Sequence, residues 1–342
     1  TTEGGYYDGD KIRFRQGTPE KIGGWQQIST STFEGVCRSL HNWVTLGGQN
    51  LIGVGTHLKF YIENIGTYFD VSPLRATVSL SNPFTTVSGS AVVTVTDANG
   101  GYQDGDYVTF SNASAVGGLT IDGEFVVSLS VTTAAGTFTI TAASNASSSA
   151  TGGGTVSAAY QINVGNPFAV PITGWGAATW GQGTWGVGES STTAIRFWSQ
   201  SNFGEDLVFG NDGGSIYYWD ATDGVSTRAV ELSTLSGASD VPVVQNLILV
   251  SDISRFVFCF GTNAIGSSSI DPTLLRWSDQ EDAANWTPSA TNQAGSLRLS
   301  RGTKIVAASQ ARQEILVWTD SSLYSLQYVG APAVWAATLV GE

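Results

Sequence analysis

The chain has 342 residues, of which only 13% are charged, and its formal net charge is −13. No Lys or Arg lies between Arg75 and Arg196. This stretch therefore cannot bind nucleic acid by neutralising phosphates. No apolar run reaches the ~18 residues that a membrane-spanning helix needs, and we expect no membrane partner.

Cysteine and histidine are too scarce for a disulfide framework or a metal cluster built on them alone. The two cysteines, Cys37 and Cys259, are far apart in the chain, and the two histidines are His41 and His57. Their spacing fits no zinc or redox motif. We expect apolar burial for the cysteines, ordinary structural roles for the histidines, and no cofactor or bound metal.

The first notable pattern is the basic segment KIRFR, in which Lys11, Arg13 and Arg15 alternate with Ile12 and Phe14. Alternate residues of a β-strand share one face, so the sequence predicts three cations on one side of a strand. The segment is either a solvated face or an inter-subunit contact with acidic residues of the next copy.

Helical periodicity is nearly absent, and short apolar runs broken by Gly, Asp and Asn predict an all-β chain. Four stretches share a hairpin layout of two apolar strands around a short polar turn. They cover residues 51–63, 207–220, 246–260 and 315–328. The step from Leu207 to Leu247 is about 40 residues, the size of one propeller blade. The sequence therefore predicts a β-propeller-like core.

Residues 76–165 differ from the hairpin regions because they are rich in Ser, Thr, Val and Gly. Turn signals divide this segment into short strands; they are Asn99-Gly100, Asp104-Gly105 and Asp122-Gly123. We expect a small β-sandwich or barrel inserted into the propeller. Residues 1–75 would then form its N-terminal part and residues 166–342 the remainder.

The segment GWGAATWGQGTWG places Trp175, Trp180 and Trp185 at intervals of five. This spacing matches neither a strand face nor a helix face, so it predicts a glycine-rich array of turns. Exposed, the rings could stack on sugars. Buried, they would act as structural anchors between neighbouring blades, which we consider the better interpretation.

Further along, LRWSDQEDAANWTPS places Asp279, Glu281 and Asp282 between Trp277 and Trp286. Paired carboxyls could serve a glycosidase, and clustered oxygens could bind calcium. The neighbouring Ser, Gln and Ala residues predict no apolar pocket, and the loop lacks the glycine turn of a calcium site. The pattern favours an acidic loop anchored by two buried tryptophans.

Four of these stretches together resemble the tail hub or tail nozzle proteins of short-tailed bacteriophages (podoviruses), which are related in role to packaged-DNA stabilisation proteins. The stretches are YYDGDKIRFRQGTPEKIGGW, GWGAATWGQGTWG, LRWSDQEDAANWTP and ILVWTDSSLYSLQYVG. The resemblance covers everything outside the insert, about three quarters of the chain. The insert weakly resembles a small β-domain of ubiquitin-activating enzymes, without their catalytic residues.

The resemblance implies a structural protein of the virion tail, assembled in the host cytoplasm, with no catalytic residues. It also implies six copies in a homo-oligomeric ring, contacts with the portal, adaptor and other tail proteins, and a central channel. The channel would retain DNA and conduct it during ejection without specific binding. Because the sequence stops after the strand-like WAATLV, we expect either a fragment of a longer subunit or an incomplete propeller.

The rival interpretation is a carbohydrate-binding or glycoside-cleaving β-propeller. Its sugar platforms would be the tryptophans, and its acid–base pair would come from the carboxylates at positions 279–282. A scaffold for cellular protein partners also fits the composition, but no motif supports it.

Overall fold

The computed structural model describes residues 9–24, 29–129, 135–165, 195–252 and 254–342. Within these ranges nearly all regular structure is β-strand, which confirms the all-β prediction. The exceptions are two short 3-10 helices, Ala221–Asp223 and Leu232–Thr234. The described part of the chain contains no helix with the length and apolarity that crossing a bilayer requires.

The first element is an antiparallel hairpin of β1 (Ile12–Arg15) and β2 (Thr18–Lys21), which form a two-stranded sheet. Sheet 1 follows, with the strand order β3 (Cys37–Val44), β4 (Asn50–Thr56), β5 (Phe60–Asn64) and β6 (Thr67–Asp70).

The next eight strands form two open four-stranded sheets rather than a closed barrel. In chain order they are β7 (Leu74–Ser81), β8 (Phe84–Thr86), β9 (Val92–Thr96), β10 (Tyr107–Ser111), β11 (Gly123–Val126), β12 (Thr137–Thr141), β13 (Ala150–Gly152) and β14 (Thr155–Gln161). The sheet orders are β11-β10-β14-β7 and β12-β9-β8-β13.

These two sheets, which we call the sandwich, enclose a hydrophobic core of their own. Phe84, Phe110, Phe138 and Tyr160 are at most 1% exposed within it, because alternate residues of each strand face inward. Strand β7 begins at Leu74, so the boundary predicted between residues 75 and 76 falls inside a strand. Independent folding of the segment stays a prediction.

Three further four-stranded antiparallel sheets follow. Sheet 2 contains β15 (Trp198–Phe203), β16 (Asp206–Asn211), β17 (Tyr217–Trp219) and β18 (Val230–Glu231). Sheet 3 contains β19 (Leu247–Val250), β20 (Val257–Asn263), β21 (Ile270–Trp277) and β22 (Gly295–Arg298). Sheet 4 contains β23 (Ile305–Gln310), β24 (Ile315–Thr319), β25 (Leu323–Gly330) and β26 (Val334–Gly341).

Sheets 1 to 4 stack face to face like propeller blades, and their first strands are neighbours in the order β3, β15, β19, β23. Separate hydrophobic clusters fill the gap between each successive pair of sheets. In the first gap, the rings of Phe60 and Phe209 stack at 3.9 Å. Gly55 permits the close approach of Trp198, since a Cβ at Gly55 would lie 2.4 Å from the indole. The four predicted hairpins all lie within these sheets.

Candidate functional site

The loop after β21 is anchored by its two tryptophans, which enter different cores. Trp277 is 3% exposed and packs in the cluster between sheets 3 and 4, where its Nε1–H donates to Gln293 O at 2.7 Å. Trp286 is fully buried between sheets 2 and 3, and its Nε1–H donates to Ala283 O at 2.7 Å. The loop between the rings is therefore fixed at both ends.

Two of the three carboxylates of this loop accept hydrogen bonds from nearby backbone N–H groups. Asp279 Oδ1 accepts the backbone N–H groups of Gln280 and Gln293, each at 2.8 Å. Asp282 Oδ1 accepts from the backbone N–H of Ala284 at 2.9 Å, which is the local turn geometry that Asp commonly forms. These hydrogen bonds order the loop, and Glu281 sits at a positive φ of 57° within it.

Arg276, which directly precedes the loop, is a buried cation that the sequence analysis did not predict. Arg276 is 0% exposed, and its guanidinium pairs with Asp240 Oδ2 at 2.8 Å. It also donates to Asp240 O at 2.7 Å and lies over the Trp286 ring at 6.0 Å. Because Asp240 lies 36 positions away, no local motif marks this pair.

The basic hairpin differs in one respect from its prediction. Strand β1 begins at Ile12, and Lys11 precedes it with a φ of 58°, so the expectation of three cations on one strand face was wrong. Only Arg13 and Arg15 lie on the strand and share a face. Arg13 pairs with Glu20 of β2 at 3.3 Å, and Lys11 pairs with Asp10 at 3.8 Å.

The two cysteines and the two histidines lie in four different environments. Cys259 is fully buried, and burial raises the pKa of its thiol. Cys37 is only half-buried, contrary to the expectation, and lies at the start of β3, an edge strand of sheet 1. His41 Nε2 lies 2.6 Å from Asn202 Oδ1, and His57 Nδ1 accepts from Val36 N–H at 2.9 Å.

The remaining tryptophans of the prediction, Trp175, Trp180 and Trp185, lie outside the described residues.

A cleft with a volume of about 450 Å³ lies between sheet 1 and the sandwich. Its lining includes Glu34 and Leu58 from the sheet 1 side and Tyr107, Glu124 and Phe125 from the sandwich. Two carboxylates and two aromatic rings therefore face a common space. Sequence reasoning missed this cleft, since its two walls come from segments about 70 positions apart.

Lys59 is 5% exposed and contacts three of the residues that line this cleft, Glu34, Glu124 and Tyr107. Its Nζ lies 2.5 Å from Glu124, 3.5 Å from Asp70 and 3.6 Å from Glu34, and 4.8 Å from the Tyr107 ring centroid. Burial alone would lower the pKa of Lys59. The hydrogen bond that Lys59 donates to Glu124 and the charges of Asp70 and Glu124 outweigh burial and raise that pKa.

Within the described ranges, no group of three or more His, Cys, Asp or Glu residues is arranged to hold a metal ion. The described residues offer two candidate sites: a carboxylate-lined cleft next to the buried Lys59 and, separately, the acidic loop between Trp277 and Trp286.

No protein-family model and no curated protein matches this chain. Among solved structures, the chain is similar to "Phage phi92 endosialidase", with 15% sequence identity and a TM-score of 0.24. The match covers 91% of this chain and 44% of that one, so the chain spans less than half of the protein it matches. A TM-score this low assigns neither a fold nor a site to the chain.

Proposed function

We propose that the chain is a structural subunit of a short-tailed phage tail, a hub or nozzle protein that assembles as a ring around a DNA channel. The observation that carries the proposal is the construction of the 277–286 loop. Its indoles are buried in two cores, and Asp279 and Asp282 accept backbone N–H groups. An acid–base pair needs carboxyls aimed at a substrate space. This loop instead ties neighbouring sheets together, as a rigid scaffold requires.

The tail assignment rests on the four resembling stretches, two of which form strands of the sheet stack. ILVWTDSSLYSLQYVG forms β24 and β25, and LRWSDQEDAANWTP forms the end of β21 with its loop. A third stretch includes the β1–β2 hairpin, which is largely exposed and pairs with none of the other described strands.

The hairpin is proposed as an inter-subunit contact, in which its cations meet acidic residues of the next copy. Replacing Lys11, Arg13 and Arg15 by Glu should abolish the ring while sparing the folded subunit, because like charges would then face each other. Light-scattering mass and circular dichroism measure the two properties.

Reversing the exposed cations Arg255 and Arg312 provides a control for altered net charge. This control should assemble normally. Intact rings in the Lys11, Arg13 and Arg15 variant would refute the contact.

A second candidate function is glycan binding or cleavage, and the cleft between sheet 1 and the sandwich favours it. Glu34, Glu124 and the Tyr107 ring line one space, a combination that sugar-binding sites use. The purified chain would be incubated with a panel of polysaccharides, beside a Glu34→Gln, Glu124→Gln variant. Turnover that is lost in the variant would replace the structural proposal with this one.

A further inference from the structure

The loop between β9 and β10 contains Asn99-Gly100, the only Asn-Gly pair in the sequence. An asparagine amide reacts with the backbone nitrogen of the residue that follows it, and a side chain on that residue hinders the attack. Glycine has no side chain and leaves the backbone free to rotate. Asn99 is exposed, so water reaches its amide. The loop therefore presents the most reactive asparagine pair of the chain at the surface.

Both reacting groups are free of hydrogen bonds. Among the described residues, neither the side-chain amide of Asn99 nor the backbone N–H of Gly100 has a hydrogen-bond partner. The backbone N–H of Asn99 donates to Asp97 Oδ1 at 3.1 Å, a local turn that Asp commonly forms. This bond holds the turn and leaves both reacting groups available.

Two other exposed asparagines, Asn112 and Asn145, provide a comparison within the same sandwich, because each is followed by alanine. The N–H of Ala113 donates to Asp122 Oδ1 at 2.9 Å. The N–H of Ala146 donates to a backbone carbonyl, also at 2.9 Å. In both pairs the attacking nitrogen would first have to give up a hydrogen bond and would also carry a Cβ beside it.

The fold itself requires glycine after Asn99. A Cβ at Gly100 would lie 2.2 Å from Asp97 Oδ2. Asp97 is 5% exposed, and the same oxygen accepts a hydrogen bond from the hydroxyl of Tyr160 at 2.7 Å. The carboxylate is thus held against Gly100, so a residue with a side chain would displace it. The reactive pair is therefore part of the local structure of the sandwich.

We propose that Asn99 is a site of spontaneous deamidation in the folded protein. The backbone nitrogen of Gly100 loses its proton and attacks Cγ of Asn99. The side-chain nitrogen of Asn99 leaves as ammonia, and a succinimide ring forms. Water then adds to either carbonyl carbon of the ring and opens it to aspartate or isoaspartate. A water molecule is consumed and ammonia is released, with no change of oxidation state.

The residues after Asn99 connect this site to a second cleft. Arg75 of β7 donates to Gly100 O at 3.1 Å and to Gly101 O at 2.8 Å, and it pairs with Asp106 at 3.0 Å. Isoaspartate adds a methylene to the backbone directly before Gly100, which displaces these carbonyls from the guanidinium. Residues 103–106 of the same loop line a cleft of about 210 Å³. Deamidation therefore loosens one wall of this cleft, whether or not the chain forms a ring.

The test follows the purified, folded chain during prolonged incubation at mildly alkaline pH. Peptide mass spectrometry measures the conversion of each asparagine, and an isoaspartate methyltransferase assay detects the rearranged product. Asn99 should convert many-fold faster than Asn112 and Asn145. Its rate should rise with pH, because the deprotonated nitrogen of Gly100 is the nucleophile.

An Asn99→Gln variant provides the matched control. It keeps an exposed amide, but the longer side chain would have to close a larger ring, so position 99 should stay unconverted. Hydrogen exchange of residues 97–106 should become faster in the incubated wild type and stay unchanged in the incubated variant. Before incubation the two proteins should exchange alike.

Conversion of Asn99 no faster than that of Asn112 and Asn145 would overturn the site. Conversion in urea but not in the folded chain would also overturn it, since the folded loop would then block the reaction. Unchanged hydrogen exchange in fully converted wild type would overturn the connection to the cleft. None of these results bears on ring assembly or on glycan turnover, so the proposed function is tested separately.

Discussion

In the 277–286 loop, burial of the two tryptophan rings is expected to contribute more to the free energy of unfolding than the negative charges of the carboxylates. Replacing Trp277 or Trp286 by Ala should lower the free energy of unfolding by about 3–5 kcal/mol, because each change empties a filled core position. Changing Asp279, Glu281 and Asp282 together to Asn and Gln should cost much less, since amides retain acceptor oxygens. Chemical denaturation followed by tryptophan fluorescence compares the two. Equal losses of unfolding free energy in the two sets of variants would show that the carboxylates stabilise the loop as much as the tryptophans do.

Lys59 is predicted to hold sheet 1 against the sandwich. A Lys59→Met variant should have an unfolding free energy lower by about 3 kcal/mol, because three carboxylates in a partly buried site would lose a cationic partner. The exposed Lys304 serves as a control, and Lys304→Met should change the unfolding free energy little. Urea denaturation at neutral pH measures both. Equal losses in the two variants would show that the buried ion pairs contribute nothing specific.

The raised pKa of Lys59 also determines how the difference in unfolding free energy between wild type and Lys59→Met depends on pH. A lysine whose pKa is higher in the folded state contributes its full stabilisation at every pH below its unfolded-state pKa of about 10.4. That stabilisation is lost only as pH rises through the folded-state pKa. The difference in unfolding free energy between wild type and Lys59→Met should therefore stay constant from about pH 7 to about pH 9.5. A difference that becomes smaller within this pH range would contradict the proposal that ion pairs of Lys59 stabilise the fold.

Elements were more predictable than contacts between them. The hairpins follow from local alternation and turn residues, as in ILVWTDSSLYSLQY. Arg276 and Lys59 could not be found in this way, because their partners Asp240 and Glu124 are distant in sequence. The single-face prediction for Lys11 failed because its backbone is left-handed before the strand starts.

The sandwich has its own core, and we expect it to be dispensable for the sheet stack. Replacing residues 76–165 by a short Gly-Ser bridge should leave a soluble chain with a cooperative thermal transition. Some stability should be lost, because Lys59 would lose its partner Glu124. Calorimetry and circular dichroism test this. Insoluble protein, or a missing transition, would show that the segment belongs to the core.

For the whole molecule, the net charge of −13 predicts the character of the proposed channel. A lining of Lys and Arg would bind phosphates and slow the duplex, in a manner that weakens with salt. An acidic lining repels the duplex from the wall. We expect more Asp and Glu than Lys and Arg on the surface facing the ring axis. Replacing several of these carboxylates by Lys should slow DNA ejection more at low salt than at high salt. An unchanged rate would count against the channel role.

Electron microscopy of the purified chain tests the central proposal, a ring-forming structural subunit, most directly. The account predicts closed rings of several 35.8 kDa copies around an open centre. These rings should be lost when Lys11, Arg13 and Arg15 are reversed in charge. Single particles of one-subunit mass at all protein concentrations, together with turnover of a polysaccharide, would contradict it.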